Sequence, residues 1–68
     1  MIALGRYRHF RGAEYDVIGV AHHSETAERL VVYRALYGGG QLYVRPIKMF
    51  LETVKYNGVI VPRFTLVD

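Results

Sequence analysis

The stretch Glu52-Thr53-Val54-Lys55-Tyr56-Asn57-Gly58-Val59-Ile60-Val61-Pro62-Arg63 decides the fold. Asn-Gly between two alternating runs is the strongest short-range hairpin signal, because both central residues of a type I′ turn take positive φ. Pairing outward from that turn sets Tyr56 opposite Val59, Val54 opposite Val61 and Glu52 opposite Arg63. The last of these is an opposite-charge pair in register, which supports the assignment. Pro62 has no amide to donate, so a strand over residues 59–67 is an edge, at least locally.

The same vocabulary of strands and turns runs upstream. Pro46 to Leu51 is the one helical piece, a single turn of the tight 3₁₀ kind that follows a strand over Gln41–Arg45. Gly38-Gly39-Gly40 makes a sharp turn after the strongest strand, Arg29–Tyr37. Leu30, Val32 and Leu36 lie on one side of that strand, with Val31, Tyr33, Ala35 and Tyr37 on the other. Apolar residues on both faces predict a central strand covered twice. Strict alternation over Glu14–His23 groups Tyr15, Val17, Gly19 and Ala21 against Ile18, Val20 and His22. Gly19 in mid-strand signals a bulge or bend. A first strand over Gly5–Phe10 and a turn at Arg11-Gly12-Ala13 complete the reading. The expectation is an all-β fold, a small SH3-like barrel of five or six short antiparallel strands with one 3₁₀ turn, forming one domain over residues 1–68.

Composition bounds the function. The chain has 68 residues, of which 51% are apolar and 22% charged, ordinary values for a folded domain. Cysteine is absent, which excludes disulfides, thiol catalysis and Cys-ligated zinc. No apolar run approaches the roughly 20 residues of a membrane helix. The opening Met1-Ile2-Ala3-Leu4 is too short for a signal-peptide core, so the expected compartment is the cytoplasm, with no membrane partner. Nine basic against six acidic residues give a net charge of +3. Seven of those bases are Arg, which favours planar, bidentate or stacked contacts. Arg6, Arg8, His9 and Arg11 form an early basic strip, either facing an anion or simply solvated.

Three constellations carry chemistry. Ala21-His22-His23-Ser24-Glu25-Thr26 tempts a metal reading, but adjacent strand residues point to opposite faces. A metal would need His23, Glu25 and a distant third ligand such as His9, so neither a metal nor another cofactor is expected. Tyr33, Tyr37 and Tyr43 flank the glycine turn beside Arg45, and such rings serve as stacking surfaces or as core bulk. Arg8, Arg34, Arg45 and Arg63 sit in structured positions; Arg45 precedes and Arg63 follows a proline. Held guanidinium groups capture a carboxylate or phosphate, or pair internally with Glu14, Asp16 or Glu52.

Several strings resemble a bacterial family, domain of unknown function family 1653. They are Gly5-Arg6-Tyr7-Arg8-His9-Phe10-Arg11-Gly12, Val20-Ala21-His22-His23-Ser24-Glu25-Thr26, Val31-Val32-Tyr33-Arg34-Ala35-Leu36-Tyr37-Gly38 and Val44-Arg45-Pro46, followed by Pro62-Arg63-Phe64. The resemblance covers nearly the whole chain and implies a small SH3-like β domain, with no activity attached. From the residues, the expected function is a non-enzymatic binding module. Its ligand set is His9, His23, Glu25, Tyr33, Tyr43, Arg45 and Arg63, and its partner an anionic small molecule or nucleic acid. The alternatives are a protein-interaction or structural module, or a small oligomeric enzyme using His23 as acid or base; the reading leaves monomer and oligomer open.

Overall fold

The computed structural model describes residues 2–67. In chain order its elements are β1 (Gly5–His9), β2 (Glu14–His22), β3 (Arg29–Ala35), β4 (Leu42–Pro46), α1 (Ile47–Phe50), β5 (Thr53–Tyr56), β6 (Val59–Pro62) and β7 (Phe64–Leu66). All pairings are antiparallel, in a five-stranded sheet of order β4-β3-β2-β1-β7 and a separate β5-β6 hairpin. No helix among the described residues is long and apolar enough to cross a membrane.

The hairpin forms in the register the Asn-Gly signal predicts, with Tyr56 opposite Val59 and Val54 opposite Val61. Asn57 and Gly58 both take positive φ, 52° and 79°, as a type I′ turn requires. The single strand expected over 59–67 is instead two. Pro62 ends β6 because it offers no amide to a ladder, and the chain bends at Arg63. There the Arg63 amide donates to the Glu52 carbonyl at 3.0 Å, and the Phe10 amide donates to the Arg63 carbonyl, also at 3.0 Å. One residue thus ties the hairpin to the main sheet and delivers β7 beside β1.

β2 carries the bulge that Gly19 signalled, at Ile18, between the Val17–Tyr33 and Gly19–Val32 pairs. An extra residue flips all that follows, so Val20 and His22 join the inner face, where alternation had placed Gly19 and Ala21. The expected closed barrel is not found among the described residues: β4 and β7 are the two edges of the sheet, with no hydrogen-bonded ladder joining them. Nor is β3 covered on both faces. Val31, Tyr33 and Ala35 are buried, while on the other face Leu30 and Val32 are half-buried and Arg34 is exposed. The helical turn is α-type rather than 3₁₀.

Aromatic rings fill the inner face. Phe50, supplied by α1, is 1% exposed and stacks on Phe64 at 4.1 Å between centroids, nearly parallel at 3°. Tyr7 and Tyr33 meet Phe50 edge-to-face at 5.4 and 5.5 Å. Val17, Val31 and Ile2 complete the core.

Candidate functional site

The two edges of the sheet meet through side chains. Arg45 of β4 places its guanidinium carbon 5.7 Å from the centroid of Phe64 on β7, over the ring. A ring has two faces; Phe50 takes one, so Arg45 covers the other. His9, Tyr15 and Tyr33 stand edge-on around Phe64, at 5.1, 5.7 and 5.7 Å. The seam between β4 and β7 therefore has an aromatic floor and a cationic rim.

His9 ends β1 opposite Phe64. Its Nδ1 accepts the Arg11 amide at 3.1 Å, which leaves Nε2 as the proton-bearing nitrogen of the neutral ring. Burial, then the charges of Arg45, Arg63 and Arg11, hold the His9 pKa below the ordinary 6.5. Arg63 donates to Glu52 Oε1 at 2.8 Å, the pair anticipated from the hairpin register, while its buried Nε has no partner among the described residues. Arg11 lies over Phe10, 5.6 Å from the ring centroid, and Arg45 has no carboxylate within ion-pair distance among the described residues. Three guanidinium groups thus act on one imidazole, and among the described residues a single carboxylate, Glu52, pairs with one of them.

Beside this rim lies a group of phenols. Tyr15, Tyr33 and Tyr43 face one another with centroids 5.3 to 6.3 Å apart, and the Tyr15 and Tyr37 hydroxyls hydrogen-bond at 3.0 Å. Burial, then that bond, pushes Tyr15 up to about 12. Tyr43 is raised too, chiefly by the charge Tyr37 would carry. Tyr15 and Tyr43 therefore stay neutral at any physiological pH. Tyr43 is 38% and Tyr37 50% exposed, and with Gly38, Gly39 and Gln41 they line a shallow cleft.

Of the seven expected ligand residues, His9, Tyr33, Tyr43, Arg45 and Arg63 gather at the seam, with Tyr33 buried as part of its floor. His23 and Glu25 do not join them. They belong to the β2–β3 turn, where the Glu25 amide donates to His23 Nδ1 at 3.0 Å and no contact reaches the seam. No group of three His, Asp or Glu converges among the described residues. Arg8 and Arg34 are engaged elsewhere: Arg8 grips Glu14 with two bonds of 3.0 and 2.9 Å, and Arg34 holds the Gly40 carbonyl at 2.9 Å. Residue-by-residue reading missed Phe64 and Tyr15. The signal was present, since Phe64 is the first apolar residue after Pro62-Arg63 and so heads a new strand.

The sequence matches a family described as protein of unknown function, DUF1653, over residues 5–66. It is similar to a crystal structure of a DUF1653 protein from Bordetella bronchiseptica, with 35% identity and a TM-score of 0.90, covering 97% of this chain and 87% of that one. No curated protein matches the sequence.

Proposed function

The chain belongs to the DUF1653 family, and from that premise we propose that it is a non-enzymatic module that binds an anionic ligand at the β4–β7 seam. The supporting observation is the convergence of Arg45, Arg63 and Arg11 on His9 with Glu52 as the one opposing charge among the described residues. Like charges brought together at a part-buried point raise the local potential, and an oxyanion relieves it. Arg45 is suited to the contact, because the Phe64 ring supports its plane while its edge N–H groups stay available for two oxygens. His9 Nε2 adds a neutral donor.

We read the sheet as SH3-like and open: the last strand lies beside the first, and a helical turn follows the fourth. Openness has a functional reading, because a ladder between β4 and β7 would occupy the space the oxyanion takes. The exposed Tyr43 and Tyr37 rings beside the rim extend the reading to a ligand that also stacks, such as a nucleotide.

Calorimetric titration with inorganic phosphate, a nucleoside monophosphate and a short single-stranded oligonucleotide tests the proposal. Binding is expected for the wild type and about tenfold weaker for Arg45→Ala, the loss of one charged hydrogen-bonding group. Oligonucleotide affinity that falls steeply with salt and exceeds that of the mononucleotide would mark a nucleic-acid binder. No binding of any of the three at millimolar concentration sinks the anion proposal.

A further inference from the structure

A second concavity, of about 410 Å³, opens on the inner face toward the β2–β3 turn. Leu4, Val20 and Ile47 form its sides, buried Ile2 its base, and the cross-strand partners His22 and Arg29 its end. It is built from features already described. The bulge at Ile18 turns Val20 and His22 inward. The Tyr7 hydroxyl donates to the Ala3 carbonyl at 2.7 Å and pins the 2–4 segment as a wall. α1 fixes Ile47 opposite.

Its chemistry is divided. Along the sides the groove is apolar, and Leu4 is 59% and Val20 38% exposed. At the end, the Arg29 side chain makes no hydrogen bond or ion pair among the described residues, and none of the described carboxylates lines the groove. A permanently charged guanidinium at the end of an apolar trough complements a molecule with an anionic head and an unsubstituted hydrocarbon tail. Sugars and peptides would leave polar groups unpaired along those walls. The volume falls within the usual range for small-molecule sites. We propose that this groove binds a free aliphatic carboxylate, its tail along Leu4, Val20 and Ile47 and its head at Arg29 and His22. The site does not depend on the seam, since neither Arg45 nor His9 lines it.

The test is an amide chemical-shift titration with straight-chain carboxylates of increasing length and the matching alcohols, kept below aggregation. Each added methylene should tighten binding about fourfold until the groove is full. Shifts should centre on Leu4, Gly19, Val20 and Ile47. Arg29→Ala should weaken the carboxylate about tenfold and leave the alcohol unchanged, while Leu4→Gln should remove most of the gain per methylene. Both residues are exposed, and the same spectra report whether each variant is folded. Affinity independent of chain length, equal binding of carboxylate and alcohol, or shifts centred on His9 and Phe64 would each overturn the proposal.

Discussion

His9 shows how one residue converts placement into a pH response. Its pKa in the folded chain lies below 6.5, so on acidification the unfolded chain takes up a proton first. The stability His9 contributes is complete above that value and is lost as pH falls through it toward the folded pKa. A bound oxyanion reverses the sign locally: it offsets the Arg45, Arg63 and Arg11 charges and draws the His9 pKa back up. Binding of an oxyanion that does not itself titrate here, such as sulfate, therefore takes up protons, and its affinity rises as the solution is acidified through the His9 titration. Calorimetry in two buffers of different ionisation enthalpy measures that uptake directly. His9→Gln should bind sulfate without proton uptake; uptake undiminished in the variant would place the titrating group elsewhere. Tyr15 provides a second reading at the alkaline end. Tyr37→Phe removes two causes of its shift, the hydrogen bond and the neighbouring charge, and leaves burial, so the Tyr15 phenolate should appear below about 12 but still above 10 in an absorbance titration.

Elements were legible where a local rule decides them. The β5–β6 hairpin followed from Asn57-Gly58, and its Glu52–Arg63 pair from counting outward. In β2 the bulge was legible from Gly19, but the change of face after it was not, because strict alternation was carried through the extra residue. Strand closure was not legible at all. Whether β4 meets β7 by a ladder or by side chains depends on how far the sheet curls, a property of the entire core. Arg45 and Arg63 stood out through their prolines, whereas His23 and Glu25 were grouped with them on residue type, which says nothing about a turn that consumes both. The hairpin yields two predictions of different size. Gly58→Val forces a β-branched residue into a left-handed conformation and should cost about 1–2 kcal/mol in denaturant unfolding. Glu52→Ala removes a part-exposed pair and should cost no more than about 1 kcal/mol. The same change releases Arg63, so phosphate affinity should rise; a fall would mean that Glu52 positions Arg63 rather than competes for it.

At the scale of the molecule, core and site share a ring. Phe64 is 8% exposed, stacked on Phe50 beneath and covered by Arg45 above, so the floor of the candidate site is also part of the small core. Deleting Phe50 opens a cavity at the centre of that stack and should cost about 3–5 kcal/mol, a large part of the roughly 5–15 kcal/mol holding an ordinary domain together. Arg45 sits outside the stack, and its charge on Phe64 is worth about 0.5–1 kcal/mol. Binding and stability should therefore separate at one residue and merge at the next. In thermal melts, phosphate raises the wild-type midpoint by mass action. Arg45→Ala should melt within a few degrees of wild type and respond to phosphate far less. Phe64→Leu should melt lower and also respond less, because the plane that supports Arg45 is gone. If Arg45→Ala keeps the full phosphate response, the oxyanion lies elsewhere, and the ring beneath Arg45 serves the core alone.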